Sequence, residues 1–362
     1  MGVEVWLLLV VGVLMALAYS RWRHSYWSSR GVPTPPIIPF LGHIHALFLK
    51  GLKPLLYENE VYSKYGGSTF CGKYEMFRPI LVVGDLELMK HITVKDFDYF
   101  TDRRNFTLTN EGDDVMNDMI TNKTGNEWKT LRSIMTPTFT SGKMRGMYPL
   151  VCDKADDLVS FSLKEAANNP HIDMKHNFGR FTMDTIASCA FGIEYFFAEV
   201  VKETIAAREK GAKRGDFLDL LMEAGKDNPE KKQVLNYKSI LAQSILFLIA
   251  GYDTTASTLA FASFFLAKNS THQQHLRKEL QGIVKEHGDL TYQGIMEAKF
   301  LDACLLAMRF ALMEAKVALG KMILAADLQL APGYEEMEVE FGVGILRPKN
   351  GVNLILKPLS EE

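Results

Sequence analysis

The run from Tyr237 to Lys268 constrains the fold of this chain more than any other feature of its sequence. It is almost wholly apolar, but Gln243 and the stretch at residues 253–255 (Asp-Thr-Thr) make it too polar for a membrane span. A helix of this length that is hydrophobic on nearly every side is buried inside a large protein. The run therefore predicts a long central helix around which the rest of the chain packs.

On both sides of this run, helical periodicity alternates with short strand patterns. Amphipathic stretches predict helices over residues 53–65, 87–94, 125–136, 147–167, 174–191 and 270–286. Alternating residues over 69–83, and short segments with turns at 332–333 and 349–351, predict two small β-regions. These patterns predict a mainly α fold with minor β, built as one large domain rather than two.

Composition limits the classes of function. With 47% hydrophobic and 23% charged residues in 362 positions, the chain can bury a sizeable core. A formal net charge of −2 predicts no nucleic-acid partner. The four cysteines are scattered without a paired spacing, so they predict neither a disulfide framework nor a zinc site. They are Cys71, Cys152, Cys189 and Cys304.

The N-terminus has the pattern of a membrane anchor. Residues 5–19 are almost continuously apolar, and Arg21, Arg23 and Arg30 follow them. A cleaved signal peptide, which is the alternative, would carry its positive charges before the apolar run. By the positive-inside rule the arginine side stays in the cytosol. We therefore predict a transmembrane signal anchor over residues 1–20, a basic and proline-rich hinge over 21–43, and a cytosolic domain over 44–362.

Three separated motifs carry a family resemblance. They are PFLGH at residues 39–43, WKTLR at 128–132 and AGYDTT at 250–255, the last lying inside the central run. In this order they resemble the cytochrome P450 superfamily of the microsomal type, in the clan of broad-specificity oxidisers of lipophilic compounds. The resemblance covers nearly the whole chain and implies a truncated P450 fold behind the anchor.

The resemblance implies a heme site on the second motif. Trp128 and Arg132 would bind a heme propionate. Residues at i and i+4 lie on one helical face, and a guanidinium grips a carboxylate well. The structural alternative for this pair is an ordinary helix with a packed tryptophan.

The third motif implies proton handling. By the resemblance, Ala250 and Gly251 would open a groove over the heme, and Asp253 and Thr254 would steer protons during oxygen activation. Glycine in a helix interior costs about 1 kcal/mol relative to alanine, and polar side chains in an apolar helix cost more unless they are paired. Their place in a buried helix therefore suggests a purpose, although a simple helix kink is the alternative.

Two segments that the resemblance requires are missing. The heme-binding loop, with the pattern FxxGxRxCxG, and the ExxR motif should precede residues 308–312 (MRFAL), and neither stands there. Cys304 has no glycine-rich loop around it, and it stands one residue further from Met308 than the ligand cysteine of the family does. We therefore predict that Cys304 is not the iron ligand, and the sequence predicts no other metal ligand. A second deletion is expected near 195–198, where the F and G helices should lie.

The first of these deletions falls near residues 306–307. Between residues 291 and 326 only Gly294 and Gly320 interrupt the helical pattern, and there is no proline. We therefore predict one continuous helix across the Leu306-Ala307 junction. Apolar surfaces that should face the missing helices would be exposed to solvent.

Family membership implies an NADPH- and O2-dependent heme-thiolate monooxygenase of lipophilic substrates. It would sit in the endoplasmic reticulum membrane as a single-pass protein and receive electrons from NADPH–cytochrome P450 reductase. Because the axial cysteine loop and ExxR are absent, we expect impaired catalysis. Two alternatives stay open, a non-catalytic membrane-anchored pseudoenzyme and an unproductive splice or gene-model variant.

Overall fold

The structure is a computed structural model that describes residues 2–44, 54–66, 69–104, 115–188, 217–224, 236–305, 309–341 and 345–359. It divides into two compact units, Met1–Thr101 and Asp102–Glu362. The boundaries predicted at residues 20 and 43 lie inside the first unit.

The first unit begins with helix α1, Val3–Arg23. Glu4 lies in its first turn and Arg21 and Arg23 lie in its last, so the charges complement the helix dipole. Among the described residues, two stretches, Val3–Arg30 and Tyr237–Lys268, are long and apolar enough to cross a membrane. The most apolar part of the first is only 6% buried, whereas that of the second is 39% buried, as befits a core helix.

An antiparallel hairpin follows in the same unit. Strands β1 (Phe70–Glu75) and β2 (Arg78–Val83) pair from Phe70↔Val83 to Glu75↔Arg78. A two-residue turn at Met76-Phe77 joins them, and Met76 has a φ of 51°. Helices α2 (Pro54–Val61) and α3 (Leu86–Lys90) flank the hairpin. The strand pattern predicted over residues 69–83 is thereby confirmed.

The second unit is mainly helical. Its longer helices are α4 (Gly125–Met135), α5 (Ser141–Asn168), α6 (Met174–Ile186), α7 (Phe217–Ala224), α8 (Tyr237–Lys268) and α9 (Ser270–His287), followed by α10 (Tyr292–Glu297), α11 (Lys299–Cys304) and α12 (Arg309–Ala325). Short 3-10 or π turns occupy Ser28–Arg30, Tyr62–Gly66, His91–Lys95, Phe97–Tyr99, Val115–Asp118 and Thr136–Phe139 across the two units. The predicted central helix is confirmed as α8.

Small sheets complete this unit. Strands β3 (Ile172–Asp173), β4 (Ala326–Leu330) and β7 (Asn353–Pro358) form one antiparallel sheet in the order β3-β7-β4. Strands β5 (Val339–Phe341) and β6 (Leu346–Pro348) form a separate pair. The mainly α fold with minor β is therefore the observed one.

Helix α8 joins two hydrophobic clusters. Its C-terminal half packs with α5, α6, α9 and α12 in the larger cluster, which contains Ala256, Leu259 and Phe264. Its N-terminal half packs with α4, α6 and α7 in the smaller cluster, which contains Leu241 and Leu248. The helix thus organises the whole unit, as its apolar length predicts.

The continuous helix predicted across the Leu306-Ala307 junction is wrong, because the chain already leaves the helical conformation at Leu305; residues 306–308 lie outside the described residues. Ala298 and Leu305 both adopt extended backbone angles, with ψ values of 105° and 128°, so the chain breaks into α10, α11 and α12. The ammonium of Lys316 lies 3.0 Å from the carbonyl oxygen of Ile295. In one straight helix these residues would be roughly 30 Å apart. Packing of α12 back onto α10 therefore overrides the helical propensity of the junction.

Candidate functional site

The AGYDTT motif lies where α6 crosses α8. A Cβ on Gly251 would be 2.4 Å from the Cδ1 atom of Ile186, so the glycine lets the two helices approach closely. Thr182 donates a hydrogen bond to the carbonyl oxygen of Tyr252 at 3.0 Å, and the Tyr252 ring covers Gly179. Gly251, a predicted heme-groove residue, is thus placed against α6 and has a clear packing role.

Ala250 and Thr254 lie one helical turn apart on an exposed side of α8. The hydroxyl of Thr254 donates to the carbonyl oxygen of Ala250 at 2.5 Å. Thr258, one turn further on, repeats the pattern by donating to the carbonyl oxygen of Thr254 at 2.9 Å. Threonine hydroxyls that bond the preceding turn loosen a helix locally. This side of α8 therefore presents small and polar groups on which a planar ligand could lie.

Asp253 lies on a different side of the helix from Thr254. Its carboxylate forms a close ion pair with the ammonium of Lys175 on α6, and a guanidinium nitrogen of Arg347 on β6 lies 3.9 Å from it. The carboxylate is therefore engaged with two cations, and the Asp253–Thr254 pair is not a hydrogen-bonded unit in this structure. Sequence analysis missed Lys175 and Arg347, because both are far from Asp253 in the chain and neither belongs to a motif.

Trp128 and Arg132 lie on α4, the helix of the second motif. The opposite face of this helix buries Leu131, Ile134 and Met135 in the smaller cluster, together with the N-terminal half of α8. Arg132 is exposed and forms no ion pair within the described ranges, and Trp128 is half-buried. Packing thus brings the helices of the second and third motifs into one cluster and leaves the Arg132 guanidinium on the outer face of α4.

A buried carboxyl group, which sequence analysis also missed, lies beside the third motif. Glu314 on α12 is fully buried, and its two carboxyl oxygens and the hydroxyl of Thr255 on α8 have no well-formed hydrogen bond among the described residues. Burial raises the pKa of Glu314 well above its ordinary value, and the nearby Thr255 hydroxyl opposes the shift only in part. Burial against the central helix therefore disfavours the ionised form of Glu314.

The described cysteines do not fit an iron-binding thiolate. Cys304 is half-buried in α11, and burial raises its pKa, with a further contribution from Glu279. Burial also raises the pKa of Cys71 and of Cys152. An axial ligand must be deprotonated and accessible. Cys189 lies outside the described residues. Arg132 and Ala250 are exposed on α4 and α8, and none of the described cysteines is a fitting axial ligand.

Comparison with known proteins gives consistent matches. The cytochrome P450 family model matches residues 32–205 and 193–306. Cytochrome P450 6a2 of Drosophila melanogaster is 30% identical over 413 residues, which take in 96% of this chain and 80% of the relative. Cytochrome P450 3A31 of Mesocricetus auratus is 28% identical over 361 residues, which take in 84% of this chain and 70% of the relative. Cytochrome P450 3A2 of Rattus norvegicus is 29% identical over 361 residues, which take in 83% of this chain and 70% of the relative.

These matches cover the arm, the helix of Trp128 and Arg132, and the central helix with its AGYDTT motif, and the mainly α fold agrees with them. The chain belongs to the cytochrome P450 family.

Proposed function

We propose that this chain is an endoplasmic-reticulum-anchored P450 family member whose monooxygenase turnover is impaired. The observation that carries the proposal is the environment of Cys304, the cysteine nearest in sequence to the expected heme loop. Its thiol sits inside a short helix and burial raises its pKa, so it is poorly suited to bind iron.

The positions of the family matches support the two internal deletions. The family model matches in two stretches that meet at residues 193–205 and end at residue 306. Both limits coincide with the junctions expected near 195–198 and 306–307. The alignment of 413 positions with cytochrome P450 6a2 takes in about 348 residues of this chain, so about 65 positions of the relative face gaps.

The retained residues define what a heme-loaded chain would still do. Heme supplies oxygen activation in this family when a thiolate holds its iron. Trp128 and Arg132 would bind a propionate, and Ala250 and Gly251 would line the groove over the ring. Asp253 and Thr254 would handle protons, although Asp253 must first leave Lys175. Electrons would come from NADPH–cytochrome P450 reductase, and the substrate would be a lipophilic small molecule that partitions into the membrane.

Turnover in a reconstituted system tests this proposal. The full chain would be loaded with heme and combined with the reductase, NADPH and lipophilic probe substrates in vesicles, with cytochrome P450 3A2 as the active control. We expect no oxidised product above a reaction that lacks the chain, because no suitable thiolate is in place. Product formation that depends on NADPH and disappears in Cys304→Ala would contradict the proposal.

A second candidate, an unproductive variant that is degraded after synthesis, is favoured by exposed apolar side chains. Ile249, Tyr252 and Phe265 on α8 are all exposed, which agrees with the surfaces expected to lose their cover. Exposed patches of this kind promote aggregation and degradation. The half-life of the chain in cells, measured beside an intact relative, separates the two candidates: a much shorter half-life favours degradation, and an equal one favours a stable pseudoenzyme.

A further inference from the structure

The β1–β2 hairpin has one edge that the rest of its unit covers. On the outer side of β1, the backbone N–H of Gly72 donates to the carbonyl oxygen of Pro33 at 2.8 Å. The backbone N–H of His43 donates to the carbonyl oxygen of Tyr74 at 2.9 Å. The proline-rich arm thus satisfies outward backbone groups of β1, and any further strand must add to the other side of the hairpin.

The register of the hairpin identifies the backbone groups of β2 that point to this other side. In a two-residue hairpin, the residues that flank the turn, here Glu75 and Arg78, form a hydrogen-bonded pair. Hydrogen-bonded and non-hydrogen-bonded pairs then alternate along the ladder. The backbone groups of Pro79, Leu81 and Val83 therefore point away from β1.

These outward groups of β2 have no partner in the structure. Within the described part of the chain, no hydrogen bond reaches the N–H groups of Leu81 and Val83 or the carbonyl oxygens of Pro79, Leu81 and Val83. These five groups form the open edge of β2. The missing N–H of Pro79 would also have pointed outward, so proline is accommodated at this edge. The open edge is a template on which another strand can pair.

The side chains along the open edge do not discourage pairing. Natural edge strands are protected by charged residues, by bulges or by a covering element. Residues 80–83 read Ile-Leu-Val-Val without a charge, and Leu81 is 40% exposed. Branched apolar side chains of this kind pack well across paired strands. The open edge is therefore suited to β-strand addition, in which backbone hydrogen bonds supply the affinity.

We propose that the open edge of β2 pairs with the open edge of a second copy of this chain. The two hairpins would form one four-stranded antiparallel sheet across a two-fold axis at Val82, with the same surface used by both copies. In this register Leu81 of each copy lies opposite Val83 of the other, so all four outward N–H groups find carbonyl acceptors. The inference goes beyond the proposed function and does not depend on heme binding or turnover.

The position of Pro79 selects this register. With the axis at Val82, Pro79 lies beyond the shared ladder, where its missing N–H breaks no hydrogen bond. A pairing centred on Leu81 would place Pro79 opposite Val83 of the second copy and leave the Val83 carbonyl oxygen without a donor. The axis at Val82 also places two β-branched side chains directly opposite each other, which is a favourable cross-strand pair.

Charge complementarity favours a second copy as the partner. Arg78 and Glu87 are both exposed, and neither forms an ion pair within the described residues. In one chain they lie at opposite ends of β2, roughly 20 Å apart. In the proposed sheet Arg78 of each copy comes level with residue 86 of the other, next to Glu87. The two-fold axis therefore brings two pairs of opposite charges together at the two ends of the shared ladder.

Disulfide trapping in the full chain tests the register. Val82→Cys and Ile80→Cys would each be introduced into a Cys71→Ala background, because Cys71 lies opposite Val82 within the hairpin. In the proposed sheet the two copies of residue 82 form a non-hydrogen-bonded pair with Cα atoms about 4.5 Å apart, which a disulfide can bridge. The two copies of residue 80 would be roughly 14 Å apart along the strands. Both variants keep the other three cysteines, so background crosslinking is the same.

After mild oxidation of the purified chain in detergent, we expect Val82→Cys to give a disulfide-linked dimer. The yield should exceed that of Ile80→Cys at least several-fold. Equal yields in the two variants would overturn the proposal, because the contact would then be unspecific. The absence of a disulfide-linked dimer in both would overturn it as well.

A charge exchange tests the pairing without cysteines and without touching the strand ladder. Arg78→Glu sets like charges against each other at both ends of the sheet, and the double variant Arg78→Glu with Glu87→Arg restores opposite charges. Both side chains are exposed, so neither variant should disturb the fold. Measured by light scattering in detergent, the dimer fraction should fall several-fold in Arg78→Glu and recover in the double variant. No fall, or a fall without recovery, would contradict pairing between two copies.

Discussion

The Lys316→Met variant is expected to lose about 2–4 kcal/mol of unfolding free energy. The Lys316 side chain is fully buried, and its ammonium donates to the carbonyl oxygens of Ile295 and Met296 at 3.0 and 3.1 Å. It also pairs with Asp302 at 2.7 Å. Methionine fills the same volume but leaves the last carbonyls of α10 without this donor, and each unpaired buried acceptor costs about 1–3 kcal/mol.

Lys321→Met is the matched control on the same helix. Its ammonium pairs with the carboxylate of Asp156 at 2.6 Å, but Asp156 is 65% exposed. An exposed pair is worth at most about 1 kcal/mol, so this variant should stay close to the native chain. Denaturant titration in detergent measures both. Equal losses in the two variants, or a gain in Lys316→Met, would contradict the role of Lys316 in holding α12 against α10.

The second large effect concerns Glu314. We expect the Glu314→Gln variant to be more stable than the native chain, by a margin that grows as pH rises. Burial raises the pKa of this carboxyl group in the folded state above its ordinary value near 4.5. Below that ordinary value the group is protonated in both states, so it causes no difference. Between that value and the raised pKa of the folded state, the unfolded chain ionises while the folded chain stays protonated, and each pH unit in this window lowers stability by about 1.4 kcal/mol. Glu314→Gln removes this penalty.

Paired denaturation of the native chain and Glu314→Gln at pH 5 and pH 8 measures the effect. We expect the two to be similar at pH 5 and the variant to be clearly more stable at pH 8. Glu335→Gln is the control: Glu335 is exposed, and backbone N–H groups of Glu335 and Gly333 lower its pKa, so its replacement should bring no gain. A Glu314→Gln advantage that does not grow with pH would mean that the carboxyl group is ionised and paired.

The sequence predicts the helices and the hairpin well because their signals are local. The apolar run of α8, the alternation over 69–83 and the turns near 333 and 350 each specify their own element. The junction after Cys304 shows the limit of this reasoning. Helical propensity is continuous there, but Lys316 must reach Ile295 and Leu305 is buried in the core, and neither long-range contact is written in the local pattern.

The sequence predicts the motifs that make up the candidate site, but it does not predict the contacts that their side chains form. The i, i+4 spacing of Trp128 and Arg132 places them on one face of α4, as expected. The partners of Asp253 come from α6 and β6, and the reason for Gly251 is Ile186, so these required three-dimensional packing. Glu314 beside Thr255 was also out of reach, because a single acidic residue in an amphipathic helix carries no signal of burial.

The reduced-minus-CO difference spectrum of the purified chain in detergent, recorded beside total heme, tests the central claim most directly. We expect no red-shifted Soret band of the kind that thiolate-ligated heme gives, because burial raises the pKa of Cys304 and the sequence lacks the FxxGxRxCxG loop that would carry the axial cysteine. If heme is present but the red-shifted band is absent, the chain is a heme-binding remnant. If no heme is present, the fold is empty. The red-shifted band itself would contradict the account, since a cysteine of this chain would then bind iron and monooxygenase turnover would be within reach.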